Sequence, residues 1–249
     1  MLLLSGCVTS QKTHMIYALS DGCPCTLIVL SNEEKAKQMY EEYRFLDENV
    51  CYYPAKDLLF YQADIHGKLL IKQRMEVVQR LIESNEAGSE EKSASIITTF
   101  DALMDFLMPI EEIEACILTV ENGREYRFEE LTRKIAQLGY EREVQVEGPG
   151  QFAVRGGILD IYPLTEELPI RIEFWGDEVD SIRTFDVDSQ RSVENLERIV
   201  IYPSEELKSD NNSVSFIDYF NVKNTNLFLD EPVRLIEAGT RIEEEVVNA

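Results

Sequence analysis

Thr26-Leu27-Ile28-Val29-Leu30, followed at once by Ser31-Asn32-Glu33-Glu34, decides the fold. A continuous apolar run without polar alternation fits a strand buried on both faces, as in a parallel sheet. Ser31 or Asn32 can cap the helix that follows, and Glu33-Glu34 puts negative charge in its first turn, where the helix dipole favours it. Working outward, Leu2-Leu3-Leu4 reads as another short buried strand. Residues 14–19 are apolar and helix-compatible, and Asp21-Gly22 makes a turn before the decisive run. Downstream, the capped helix reaches about Phe45. Residues 69–83 form a further helix through Leu70, Met75, Val78 and Leu81, and 84–93 form a polar, Glu-rich flexible loop. Ile96-Ile97-Thr98-Thr99 gives a strand, and 100–107 a short helix ended by Pro109. Strands and helices alternating in this order predict an α/β domain with a parallel sheet.

Near Ile117 the grammar changes. Residues 129–138 predict a helix closed by Gly139. From there to Pro203, strand-like alternation is broken by Gly148-Pro149-Gly150, Gly156-Gly157, Pro163, Pro169 and Gly176-Asp177, the pattern of an antiparallel, hairpin-rich module. Residues 214–220 follow, and then 226–229 as one more apolar strand ending in Asp230-Glu231. The expected organisation is an α/β domain made of 1–116 and 204–249, with an inserted sheet-rich α+β module over 117–203.

The 249 residues, 44% of them hydrophobic, suffice for one large domain or two ordinary ones. With 24 basic and 47 acidic side chains the formal charge is −23, so the surface repels phosphate backbones and little autonomous nucleic-acid binding is expected. No apolar run approaches the ~18 residues of a membrane span, so no membrane partner is expected. Cys7, Cys23, Cys25, Cys51 and Cys116 are odd in number and scattered, which fits reduced thiols in the cytoplasm rather than a disulfide framework. Leu4-Ser5-Gly6-Cys7 imitates a lipoprotein cleavage box but lacks the basic leader and apolar stretch of a signal. The abrupt start fits a trimmed chain. His14 and His66 stand apart without a ligand pattern; neither a metal nor any other cofactor is expected, and no catalytic residue is assigned. Glu111-Glu112 and Glu243-Glu244-Glu245 read as solvated helix faces.

Gly6-Cys7-Val8-Thr9-Ser10-Gln11-Lys12-Thr13 has the spacing of a phosphate loop, G-x-x-x-x-G-K-[ST], except at its second glycine. In such a loop backbone N–H groups cradle phosphates, the lysine reaches the outer phosphates and the hydroxyl holds magnesium. Gln11 replaces the glycine that lets the backbone turn tightly there. Asp230-Glu231, at the end of an apolar strand, stands where such a fold keeps its metal-holding and water-activating acids. The set Gly6, Gln11, Lys12, Thr13, Asp230 and Glu231 therefore reads either as an ATP site or as an inherited loop kept as a fold element. The missing glycine favours the second.

Two blocks carry a family resemblance. Residues 147–163 read Glu-Gly-Pro-Gly-Gln-Phe-Ala-Val-Arg-Gly-Gly-Ile-Leu-Asp-Ile-Tyr-Pro. Residues 169–186 read Pro-Ile-Arg-Ile-Glu-Phe-Trp-Gly-Asp-Glu-Val-Asp-Ser-Ile-Arg-Thr-Phe-Asp. Together they resemble the amino-terminal region of the bacterial transcription-repair coupling factors (Mfd), whose cousin is the excision-repair protein UvrB. Both share R-G-x-x-x-[DE]-I-[FY]-P followed by R-[IV]-E-F-[FW]-G-D-E. Residues 185–192 are more similar to the coupling factors, and 4–46 and 227–232 continue the likeness more weakly. UvrB keeps an intact phosphate loop and a tyrosine-rich hairpin; here the loop is broken and Tyr52-Tyr53-Pro54 is expected to lead into an ordinary helix. The resemblance implies a RecA-like (P-loop NTPase-like) domain with a degenerate nucleotide site and an inserted UvrA-binding module, without ATPase activity of its own. The parent would be an ATP-dependent DNA translocase that engages RNA polymerase, DNA and its own carboxy-terminal module. A P-loop ATPase tolerant of Gln11, and a UvrB-like damaged-DNA-binding module, are the rival readings.

In a strand over 170–175, period-two alternation puts Ile170, Ile172 and Phe174 on a core face and Arg171, Glu173 and Trp175 on the other. Trp175 is the only tryptophan, and Trp and Arg are the types most enriched at binding hot spots. Arg155 precedes Gly156-Gly157, glycines that allow close backbone approach or a bulge re-aiming the arginine. The resemblance implies that Arg155, Arg171 and Trp175 contact UvrA. Arg183 and Glu173 are further candidates for that face, or an ion pair across strands. Alternation alone further predicts that truncating Arg171 costs little stability.

Overall fold

The computed structural model describes residues 5–56, 64–85, 94–206, 213–237 and 239–240. The predicted strand 2–4, most of the loop 84–93 and the acidic run 243–245 lie outside them. In chain order the elements are α1 (Thr9–Ser20), β1 (Cys25–Leu30), α2 (Glu33–Tyr43), β2 (Val50–Tyr53), α3 (Asp64–Asn85), β3 (Ala94–Thr99), α4 (Phe100–Leu103), β4 (Phe106–Leu107), α5 (Ile110–Cys116), β5 (Leu118–Glu121) and α6 (Phe128–Gln137). Then follow β6 (Glu141–Glu143), β7 (Gln151–Arg155), β8 (Ile158–Tyr162), β9 (Ile170–Trp175), β10 (Glu178–Phe185), β11 (Ser192–Leu196), β12 (Arg198–Ile201), β13 (Val214–Ser215), a 3₁₀ turn (Phe216–Tyr219) and β14 (Thr225–Leu229). They form two compact units: Met1–Gln62, Glu76–Leu107 and Ser213–Ala249 in one, Ala63–Met75 and Met108–Asn212 in the other.

The first unit is α/β, built on a parallel sheet in the order β14-β1-β3-β2. Every residue of β1 is buried, as its apolar run predicts, and so is every residue of β3. Asn32 caps α2 by accepting the Lys35 N–H at 3.0 Å, with Glu33 and Glu34 in the first turn. Met39 and Tyr43 pack from α2 against Ile28, Leu30 and Ile97.

Tyr52 and Tyr53 lie in strand β2, paired with β3, and the next described element is the helix α3 from Asp64. Two local readings change. The helix expected over 100–107 stops after one turn, because the Ser215 hydroxyl takes the Leu103 carbonyl and Phe106–Leu107 pairs with Val214–Ser215. α1 begins at Thr9, well ahead of the apolar stretch that signalled it.

The second unit is dominated by a six-stranded sheet in the order β11-β10-β9-β8-β7-β6, antiparallel except for β6 beside β7. Its core face, including Phe152, Leu159, Ile170, Ile172 and Ile182, packs against Leu131 and Ile135 of α6. α6 ends as expected, with Gly139 in the left-handed region at φ 88°. β5 and β12 pair antiparallel over 118–121 and 198–201, so the chain enters and leaves this sheet-rich stretch through one two-stranded clasp.

Candidate partner-binding face

The polar face of the six-stranded sheet is built row by row. Ala153, Asp160, Arg171 and Arg183 stand opposite one another on β7 to β10, and Ile158, Glu173 and Ser181 form the next row. Residues directly opposite share a face, so the arginines and acids singled out by alternation come together.

Asp160, 1% exposed, is the hub. Its Oδ1 accepts the Arg171 Nε–H at 2.6 Å, and its Oδ2 accepts Arg171 Nη2 at 2.8 Å and Arg155 Nη2 at 2.7 Å. Arg171 also donates from Nη2 to Gln190 Oε1 at 2.9 Å and lies 4.3 Å above the Phe185 ring. The hydrogen bonds to Asp160 raise its pKa above the ordinary guanidinium value. Its side chain is only 13% exposed: alternation assigns a face but not what lies across it. Arg155 keeps 46% of its side chain in solvent. Arg183 pairs with Glu173, which also accepts the Ser181 hydroxyl at 3.3 Å; the cross-strand ion pair is the one formed.

Trp175 is 84% exposed at the end of β9, opposite Glu178. The turn beyond it is fastened from the other side. Gly176 adopts φ 67°, Asp177 accepts the Tyr126 N–H on its carbonyl at 2.7 Å and the Phe128 N–H on Oδ1 at 3.3 Å, and Phe128 meets Phe174 edge to face at 5.0 Å. A large apolar ring is thus left in water at the end of a hairpin tied down on its other side. At Gly156-Gly157 the chain makes a two-residue turn, and a Cβ at Gly157 would stand 2.8 Å from the Phe174 carbonyl. Close approach, rather than a bulge, explains that glycine. Asp160, Gln190 and Asp177 were not singled out from sequence; their roles depend on partners on other strands.

The phosphate-loop residues of the other unit are differently engaged. Thr9, Ser10 and Gln11 are already helical, and Gln11 Oε1 accepts the Val8 N–H at 3.3 Å. Lys12 Nζ is 2.7 Å from Asp230 Oδ1, and the buried Thr13 hydroxyl donates to Glu42 at 2.9 Å. Lys35 pairs with Glu231, whose carboxyl it holds below the usual glutamate value; Arg234 Nε adds a contact at 3.3 Å. Lys12 and Asp230 are thus brought together, with cation and hydroxyl already matched to acids of the same chain, while Gly6 precedes the helix with no such contact among the described residues.

Among the described residues no group of three or more His, Cys, Asp or Glu could hold a metal, and no helix is long and apolar enough to cross a membrane. All five cysteines are free, and burial pushes the Cys25 thiol up to about 12.

Residues 118–207 match the family described as the UvrB interaction domain. The chain is 32% identical over 208 residues to the transcription-repair-coupling factor of Bacillus subtilis, covering 82% of this chain and 17% of that protein. It is 32% identical over 204 residues to the factor of Staphylococcus aureus, and 31% over 203 residues to that of Staphylococcus haemolyticus, each covering 80% of this chain and 17% of the relative. The chain thus spans about one sixth of the length of these relatives. The likeness to the coupling factors and to the UvrB interaction domain agrees with the resemblance carried by the two sequence blocks.

Proposed function

We propose that this chain is the UvrA-recruiting portion of a transcription-repair coupling factor, acting in nucleotide excision repair in the cytoplasm. The observation that carries the reading is Trp175, exposed at the end of the strand that also carries Arg171 of the Arg155–Asp160–Arg171 cluster, in the segment that matches the UvrB interaction domain. Exposed aromatic and arginine side chains on a rigid scaffold are the usual centre of a protein interface. On a chain of net charge −23, a patch with arginine in excess suits partner carboxylates rather than phosphates.

The α/β unit is, in this proposal, a RecA-like domain whose nucleotide site is degenerate. The ion pair of Lys12 with Asp230 and the bond from Thr13 to Glu42 support a fold element without ATPase activity. The parent protein would supply the ATP-dependent translocase motor and the contacts to RNA polymerase, DNA and its own carboxy-terminal module.

The test is a binding titration of purified UvrA against the chain and three variants. Trp175→Ala and Arg155→Ala are each expected to cost about 2 kcal/mol or more, roughly thirty-fold in affinity. Arg124→Ala, whose partner is Glu121 in an exposed i,i+3 pair, is expected to change nothing. Equal losses from all three variants, or none from the first two, would remove the proposed face.

A further inference from the structure

We propose that Asp160 is a positioning residue: one buried carboxylate fixes Arg155 and Arg171 in a single docking constellation, and Gln190 steadies Arg171 from the side. The inference deepens the UvrA-docking reading and rests on it.

Alternation along β8 puts Asp160 on the polar face, between the core residues Leu159 and Ile161, yet it is 1% exposed. A carboxylate so placed is costly unless its lone pairs are satisfied by charged donors. Both oxygens are satisfied, and by two of the arginines on that face. The two-point contact with Arg171 sets the plane of that guanidinium, because the donor fork is rigid. Arg155 reaches the same Oδ2 from the end of the neighbouring strand, so one atom relates the two cations.

Gln190 comes from the β10–β11 turn and is itself held. Its backbone is left-handed at φ 58°, its N–H bonds Asp186 O at 2.8 Å, and its Nε2 bonds Val187 O at 2.7 Å. Its remaining acceptor points at Arg171. Two arginines against one carboxylate leave one positive charge in excess. Because both side chains are already ordered, a partner does not have to immobilise them on docking. A carboxylate whose only task was to neutralise the sheet interior would not couple to partner affinity.

The experiment uses the full 249-residue chain and purified UvrA, with Asp160→Asn, Gln190→Ala, Asp160→Asn in the Arg155→Ala background, and the core variant Ile199→Ala as a control for lost stability. Asp160→Asn is expected to lower affinity about tenfold or more, and much less once Arg155 is gone, since contacting residues are non-additive. Gln190→Ala is expected to lower it by about threefold, and Ile199→Ala not at all despite a lower melting temperature. By NMR, the Arg171 Nε–H resonance should be protected from exchange in the wild type and lose that protection in Asp160→Asn. Wild-type affinity in Asp160→Asn, full additivity with Arg155→Ala, or an equal loss from Ile199→Ala would overturn the proposal. If Asp160→Asn does not fold, unchanged affinity in Gln190→Ala overturns it instead. A wild-type chain that fails to bind UvrA removes the docking reading, whereas the exchange measurement still reports on the clamp.

Discussion

Arg171 and Trp175 sit four residues apart on one face of β9, yet they present opposite balances of stability and exposure. The Trp175 ring is almost entirely in water, so Trp175→Ala is expected to leave the melting temperature unchanged while weakening UvrA binding. Arg171 is roofed by Gln190, floored by Phe185 and forked onto Asp160. Its truncation leaves Asp160 with one guanidinium in place of two. Arg171→Ala is therefore expected to cost about 3 kcal/mol, the low end for breaking a buried pair, because Arg155 still holds one oxygen. The expectation from alternation alone, that this substitution is structurally cheap, does not survive the geometry. Chemical denaturation of both variants, read beside the UvrA titration, separates the roles. An unshifted midpoint for Arg171→Ala would return that arginine to the free surface.

At the scale of elements, what the sequence revealed depended on how local the cause was. β1 was legible because a strand buried on both faces leaves a near-continuous apolar run, β3 from its β-branched Ile96-Ile97-Thr98-Thr99, and α2 because its cap and first-turn acids are adjacent in sequence. β4 and β13 were not legible: each is two residues long and exists only because the other, more than a hundred residues away, pairs with it. The candidate partner-binding face was half legible. Period-two spacing selects Arg171, Glu173 and Trp175, but the burial of Asp160 is created by arginines on two other strands. Two predictions belong here. Because β5 and β12 clasp the entry and exit of the sheet-rich stretch, a fragment of residues 108–206 is expected to show sheet circular dichroism and to bind UvrA. It should melt lower than the full chain, since Arg74, buried against Glu206, is left behind; a random-coil spectrum would refute the clasp as a boundary. In the other unit, Lys35 holds the Glu231 carboxyl below its ordinary 4.5. A depressed folded-state value contributes stability that is complete above the ordinary glutamate value and fades as pH falls through the depressed one. Lys35→Met should accordingly be less stable than wild type at neutral pH, and the gap should close in acid. A gap that persists at low pH would assign the effect to packing.

For the whole molecule, charge and the engagement of Lys12 and Thr13 support the proposal of a chain that works by contact rather than turnover. A nucleotide would need a cradle of backbone N–H groups, a free lysine and a hydroxyl for magnesium. Helix α1 begins at Thr9 and so absorbs three residues that a phosphate loop would leave open, and Gln11 turns back to cap the Val8 N–H. Lys12 already has its counter-charge in Asp230, and Thr13 is buried against Glu42. Binding ATP would thus require breaking an ion pair and a buried hydrogen bond, unwinding a helical turn, and placing a polyphosphate on a chain carrying −23. The expected outcome is no magnesium-dependent hydrolysis above background and no rise in melting temperature with millimolar ATP. Asp230→Asn, which releases Lys12, is expected not to restore either, since the helical start and the Thr13 bond remain. Should Asp230→Asn gain nucleotide affinity that Lys12→Ala then abolishes, the site is masked by a single ion pair rather than lost. Wild-type hydrolysis that disappears on Lys12→Ala would make the chain an ATPase despite Gln11.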